Sequence, residues 1–130
     1  MMNNLDDWFI QNSWNKRCND SQKIMKNYPD RYPIIVFPAS AYTPKISKHK
    51  YLVSRDTTMG MFLTMIRSMV KLKQQEAIFM FIITFDNGVK EHLASSHKTF
   101  AQLYDQYKHE DGFMYIKYDI ENTFGFKEMQ

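Results

Sequence analysis

Near the end of the chain, one glycine, Gly125, follows three polar residues, 121–123, and Phe124. A tail of five residues, Phe126 to Gln130, comes after it. Because glycine carries no side chain, it can enter narrow clefts that exclude other residues. Cleavage after Gly125 would leave an unhindered carboxylate that another enzyme could activate, which is the arrangement that a protein modifier needs. The alternative is a frayed terminal turn without a function. Patterns in the rest of the chain are needed to distinguish a modifier with a cleavable tail from a frayed terminal turn.

Few other residues have the types and spacing that chemistry requires. Cys18 is the single cysteine, so an internal disulfide is excluded, and its helical surroundings favour a small buried residue over a nucleophile. The four histidines, His49, His92, His97 and His109, show no pairing at metal-ligand spacing. No nucleophile–base pair is apparent either. We therefore expect no catalytic residue, no metal and no cofactor, and an enzyme is the least favoured class.

Length and composition predict a single globular domain. The chain has 130 residues, of which 44% are hydrophobic and 24% charged, as in ordinary globular proteins. No apolar run approaches the ~20 residues that a membrane-spanning helix needs. The chain does not open with a basic-then-apolar signal pattern, which predicts a protein of the cytosol or the nucleus.

The net charge of +3 is unevenly distributed, since residues 1–50 carry eight Lys and Arg against four Asp. A basic first half favours an acidic partner or surface, with a solvated face as the alternative. Lys16, Arg17, Lys23 and Lys26 are too few and too mixed with acids for a nucleic-acid stripe. We therefore expect no nucleic-acid partner.

Hydrophobic periodicity and capping signals predict the order of the elements. Ser13 can cap a helix that ends before Pro29, after a shorter helical turn at residues 5–10, and Thr58 and the Thr99–Gln102 capping box open two further helices. Residues 86–98 are polar and are predicted to be irregular. The predicted strands are residues 32–37, 48–53, 77–83 and 113–118, with 77–83, an unbroken apolar run, as the central strand.

This order predicts an α+β protein: a ubiquitin-like β-grasp with a four-stranded mixed sheet and two additional N-terminal helices. The predicted division is an N-terminal helical extension at residues 1–27, a β-grasp domain at 28–125 and a removable tail at 126–130. We expect Trp14 and Ile24 to pack the N-terminal helices on the sheet.

Four segments resemble the autophagy-related protein 8 family, which includes GABARAP and the microtubule-associated light chain 3 proteins. They are residues 28–36, 50–53, 110–116 and 121–125. The resemblance implies a ubiquitin-like modifier of autophagy that a cysteine protease trims after Gly125. It also implies activating and conjugating enzymes as partners, which link Gly125 to phosphatidylethanolamine, so that the protein is cytoplasmic until the lipid holds it on autophagosomal membranes. Tubulin is a secondary partner implied by the same family.

The resemblance also implies that cargo receptors dock through peptides of the pattern aromatic-x-x-aliphatic, added as a strand to the second strand. The first pocket would use Ile24, Pro33, Ile35, Lys50, Leu52 and Phe113. The second pocket would use Tyr51, Val53, Phe62, Met65 and Ile66. Arg31 and Lys48 would meet acidic residues of the peptide, although Arg31 could instead pair locally with Asp30. A non-conjugated peptide-binding adaptor of the same fold is the alternative function.

Overall fold

The computed structural model describes residues 4–122, which form four helices and five strands. The helices are α1 (Leu5–Gln11), α2 (Trp14–Asn27), α3 (Met59–Met69) and α4 (Phe100–Tyr107). The strands are β1 (Arg31–Pro38), β2 (Lys50–Ser54), β3 (Glu76–Thr84), β4 (Lys90–Leu93) and β5 (Met114–Asn122).

The helices begin where the sequence predicts their caps. The side chain of Ser13 accepts a hydrogen bond from the Lys16 amide, and Thr58 does the same for the Met61 amide. Thr99 and Gln102 form a complete capping box at the start of α4. Each cap satisfies amide groups that a helix start leaves without partners, which fixes these boundaries locally.

The five strands form one mixed sheet in the order β2-β1-β5-β3-β4. β1 runs parallel to β5, and the neighbouring pairs β1–β2, β3–β5 and β3–β4 are antiparallel. β1 and β2 form the predicted hairpin, with Pro33 opposite Leu52. β2 lies at one edge of the sheet, as its charged first residue predicts.

The sheet has one strand more than the sequence predicts, because β4 falls within the segment predicted to be irregular. Asn87 and Gly88, with φ of 54° and 97°, turn the chain so that Thr84 pairs with Lys90. Left-handed backbone of this kind suits an Asn-Gly pair. β4 carries no apolar alternation, and its Leu93 is 71% exposed, so no hydrophobic period marks it as a strand.

The central strand is β5. Residues 77–83 do form an inner strand, since β3 lies between β5 and β4, but the prediction that it is buried on both faces was wrong. β5 pairs with β1 on one side and with β3 on the other. Phe79 of β3 is 39% exposed, whereas the β5 residues Met114, Tyr115 and Ile116 are fully buried. An unbroken apolar run therefore does not distinguish a strand buried on both faces from one with a partly open face.

Hydrophobic clusters cover both faces of the sheet. On one face α3 and α4 pack against the sheet through Phe62, Ile66, Phe100 and Leu103. On the other face the N-terminal helices pack against Ile35, Phe37, Ile83, Phe113 and Tyr115. Burial of this apolar surface is the main source of stability for the fold.

Trp8 is the main anchor of the N-terminal helices. It is 3% exposed, and its indole N–H donates to the Tyr115 hydroxyl at 3.2 Å. Ile24 packs against the same cluster, as predicted, but Trp14 is 44% exposed. The Trp14 ring lies perpendicular to the His109 ring at 5.8 Å between centroids and 5.3 Å from the Arg17 guanidinium, but it belongs to neither buried cluster, so it is a peripheral contact and not the predicted anchor.

Candidate functional site

The outer edge of β2 is open for backbone pairing. Within residues 4–122, β2 is hydrogen-bonded to a strand on one side only, through β1. The amide and carbonyl groups along its other side therefore face outward, which makes the strand a template for an additional one.

Successive side chains of β2 lie on opposite faces of the sheet. Tyr51 and Val53 belong to the cluster under α3. Lys50 lies on the other face, where its Nζ is 5.7 Å from the ring centroid of Trp8 and 5.8 Å from that of Phe113. The open edge thus separates two surfaces, one beside α3 and one beside the N-terminal helices.

A groove of about 560 Å³ follows the α3 side of β2. Four residues predicted for the second pocket line it: Tyr51, Val53, Phe62 and Met65. Ile66, also predicted there, is fully buried and belongs to the core beneath the groove. The further lining residues are Arg31, Lys48, Leu52, Ser54, Thr57, Met61 and Met69.

The residues predicted for the first pocket share the opposite face, with different exposure. Ile35 and Phe113 are fully buried and Pro33 is buried, whereas Ile24, Lys50 and Leu52 are half-buried. The accessible part of this surface therefore consists of the last three side chains.

Trp8 packs in the buried cluster beneath that surface and was not among the residues predicted for it. Its ring packs edge-on against Phe113, with 5.6 Å between the centroids and 82° between the planes. Its position in a short helical turn gave no signal, because only the fold brings residue 8 next to residue 113.

Methionines on α3 were also missed beyond Met65. Met61, Met65 and Met69 are 60%, 40% and 40% exposed and follow one another at four-residue intervals. That spacing places them on one side of the helix, and all three line the groove. The interval was a usable signal in the sequence.

The cationic residues of the groove are available to a ligand. In the described part of the chain the ion pairs are Arg17–Asp111 and Lys117–Glu91, so Arg31 has no salt bridge with Asp30 there. Lys48 lies with its Nζ 5.2 Å from the Tyr51 ring centroid. Arg17, by contrast, is 8% exposed and paired with Asp111 at 2.7 Å, which removes it from the basic surface of α2.

Tyr51 contributes a neutral polar group to the groove. Burial raises the pKa of Tyr51 to about 12, because a phenolate loses hydration there. Its hydroxyl donates to the Lys48 carbonyl oxygen at 2.7 Å and lies 3.8 Å from the Met69 sulfur. Two cations, Arg31 and Lys48, and no carboxylate are among the described residues that line the groove.

Gly125 lies outside the described residues, which end with β5 at Asn122. No helix within residues 4–122 is long and apolar enough to cross a membrane. Over the same residues, no group of three or more His, Cys, Asp and Glu is placed to hold a metal ion.

Known proteins resemble this chain over most of its length. The family model described as "Autophagy protein Atg8 ubiquitin like" matches residues 16–125. Autophagy-related protein 8a of Arabidopsis thaliana is 40% identical over 117 residues, 89% of this chain and 90% of that protein. Autophagy-related protein 8 of Schizosaccharomyces pombe is 41% identical over 114 residues, 87% of this chain and 88% of that protein.

A solved structure gives the same result. The crystal structure of Trypanosoma brucei ATG8 matches with a TM-score of 0.74 and 32% identity, covering 91% of this chain and 97% of that one. The predicted ubiquitin-like α+β fold is confirmed. The matched family consists of ubiquitin-like modifiers and not of enzymes, which agrees with the prediction that the protein is not an enzyme. The chain belongs to the Atg8 family of ubiquitin-like autophagy proteins.

Proposed function

We propose that this protein is a lipid-conjugated docking platform of autophagy. In this proposal a cysteine protease removes residues 126–130, and the Gly125 carboxylate is linked to phosphatidylethanolamine. The β-grasp domain consists of residues 28–125, and residues 1–27 form its N-terminal extension. The edge of this domain at β2 then binds cargo receptors at autophagosomal membranes. The observation that carries the docking part is the open β2 edge, with apolar surfaces on both faces and free cations beside it.

The spacing of an aromatic-x-x-aliphatic peptide fits this edge. Side chains alternate between the faces of an added strand, so residues separated by three positions lie on opposite faces. One anchor would meet the surface around Ile24 and Leu52, and the other would enter the groove beside α3. Backbone hydrogen bonds to β2 would supply affinity that does not depend on the intervening residues.

The charge of the groove supports an acidic peptide. Arg31 and Lys48 are exposed, and neither forms a salt bridge within residues 4–122. Carboxylates that precede the aromatic anchor would meet these cations at the rim, which speeds and orients docking. The lysines of α2 that remain exposed, Lys16, Lys23 and Lys26, are the support for tubulin as a secondary partner.

The lipid step requires partner enzymes. A carboxylate is a poor electrophile, so Gly125 has to be activated before an amine can attack it, and the nucleophiles would belong to the activating and conjugating enzymes. The two acyl chains of the attached lipid would then give stable membrane anchoring, which a single chain does not provide.

A titration with a Trp-x-x-Leu peptide preceded by acidic residues tests the docking surface. We expect binding, with NMR shifts concentrated at the amides of β2 and the side chains of Met61, Met65 and Met69. A peptide with both anchors changed to Ala serves as the control. Absence of binding at high micromolar concentration, or shifts on the β4 edge instead, would sink the proposed docking site.

A further inference from the structure

Among the described residues, the exposed methionines lie in the groove beside α3. Met61, Met65 and Met69 are 60%, 40% and 40% exposed. The other methionines within residues 4–122 are half-buried or buried: Met25, Met59, Met80 and Met114. Within residues 4–122, the methionine side chains most open to a dissolved oxidant are therefore the ones that line the docking surface.

A thioether in this position reacts with a peroxide without help from the protein. The sulfur lone pair attacks one peroxide oxygen, the O–O bond breaks as the S–O bond forms, and the departing oxygen leaves as water or an alcohol after proton transfer. Sulfur loses two electrons and the peroxide gains them, so the step balances with the peroxide alone. The product is methionine sulfoxide, which thiol-dependent reductases convert back.

The sulfoxide would change the groove from apolar to polar at its centre. Met65 lies one turn from both Met61 and Met69, and the groove floor beside it includes Val53 and Phe62. An aliphatic anchor seated there would cover the new S–O dipole and strip its hydration. Burial of a polar group without a hydrogen-bond partner is costly.

The Tyr51 hydroxyl adds a second effect at Met69. Its oxygen lies 3.8 Å from the Met69 sulfur while it donates to the Lys48 carbonyl oxygen at 2.7 Å. A sulfoxide oxygen is a stronger acceptor than a thioether, so it would compete for this hydroxyl. If the Tyr51 hydroxyl turned to the sulfoxide oxygen, it would lose its hydrogen bond to the Lys48 carbonyl oxygen, and the backbone at Lys48 that borders the groove could move.

We propose that peroxide oxidation of Met61, Met65 and Met69 is a reversible switch that weakens docking of the aliphatic anchor. This inference rests on the proposed peptide docking. About a tenfold loss of affinity is expected, because the penalty for a buried, unpaired polar group is of that order. The aromatic anchor, on the opposite face of the edge, is not affected directly.

The test uses the full chain with Cys18→Ala, so that thiol oxidation does not contribute. The protein is treated with limited hydrogen peroxide, sulfoxides are located by peptide mass mapping, and affinities for Trp-x-x-Leu and Trp-x-x-Ala peptides are measured by calorimetry. A second protein also carries M61L, M65L and M69L, which keep the groove apolar and remove the sulfur. A third carries M25L instead, as the matched control outside the groove.

We expect sulfoxides first at the three α3 positions and about tenfold weaker binding of Trp-x-x-Leu, with a much smaller change for Trp-x-x-Ala. Peroxide treatment should leave the affinity of the triple variant at that variant's own value before treatment. It should lower the affinity of the M25L protein, and a sulfoxide reductase should restore the affinity of that protein. Unchanged affinity of a protein oxidised at α3 would overturn this inference alone. Failure of the untreated protein to bind Trp-x-x-Leu would overturn the proposed docking and this inference with it.

Discussion

Arg17 donates from Nη1 to Asp111 Oδ2 at 2.7 Å, and this buried pair ties α2 to the turn before β5. The other carboxylate oxygen of Asp111 accepts the Phe113 amide at 2.9 Å, and Tyr115 also donates its hydroxyl to Asp111. One carboxylate therefore fixes the N-terminal helices and the central strand to each other. Phe113, which follows this turn, packs edge-on against Trp8 beneath the surface predicted as the first pocket.

Asp111→Ala should reduce the free energy of unfolding by roughly 3 kcal/mol, because it leaves Arg17 buried without its partner. Denaturant unfolding measures the change. Glu91→Ala is the matched control, since the side chains of the Glu91–Lys117 pair are 45% and 25% exposed and the pair should contribute under about 1 kcal/mol. Equal losses in the two variants would show that the buried pair has no special role.

Trp8→Ala should destabilise the protein by roughly 3 kcal/mol or more, since a large buried side chain is lost and a cavity remains. Trp14→Ala, at a residue that is 44% exposed, should cost clearly less. Thermal unfolding of the two variants side by side distinguishes the anchors. A larger effect at Trp14 would contradict the packing described for α1.

The stability of the fold should fall above pH 10, in part through Tyr51. Burial raises the pKa of Tyr51 to about 12, against about 10 in the unfolded chain. Tyr51 is neutral in both the folded and the unfolded chain below pH 10, so its contribution to the free energy of unfolding is fully present there. Between pH 10 and 12 the unfolded chain ionises first, which favours unfolding.

Tyr51→Phe should therefore lose less stability than the parent protein between pH 10 and 12. Unfolding midpoints in denaturant at pH 8, 10 and 11 measure the difference, and Tyr42→Phe, at an exposed tyrosine, is the control. Identical pH dependence of Tyr51→Phe and the parent would refute the role of Tyr51.

Arg31→Glu should weaken binding of an acidic Trp-x-x-Leu peptide mainly by slowing association, and the effect should shrink as salt is added. Stopped-flow measurements at two salt concentrations test this. Lys90→Glu makes the same charge change on β4, at the opposite edge of the sheet. A comparable effect at Lys90 would mean that the net charge of the protein, and not the groove, attracts the peptide.

Local signals in the sequence predict most of the fold. Helix caps depend on neighbours within one turn, so Ser13, Thr58 and the Thr99–Gln102 box mark three helices correctly. The charged start of β2 marks it as an edge strand. The resemblance to known motifs further predicts a pocket on each face of the sheet beside that edge. Tyr51 and Val53, predicted for the second pocket, do lie beside α3.

Features that depend on contacts between residues distant in the sequence could not be predicted from it. Trp8 anchors the N-terminal helices through contacts with Phe113 and Tyr115, which are more than 100 residues away in sequence. Arg17 is buried in an ion pair with Asp111, which is also distant in sequence. β4 is held by its pairing with β3 and has no buried face to impose a pattern. In each case the deciding contact joins segments whose proximity only the folded chain creates.

The most direct test of processing and lipid conjugation is the intact mass of the full chain after incubation in an extract that trims a known Atg8 protein. We expect loss of the mass of residues 126–130, blocked by Gly125→Ala, and then a product extended by phosphatidylethanolamine when the conjugating enzymes and that lipid are added. An unchanged mass in such an extract would contradict processing at Gly125 and favour the non-conjugated adaptor.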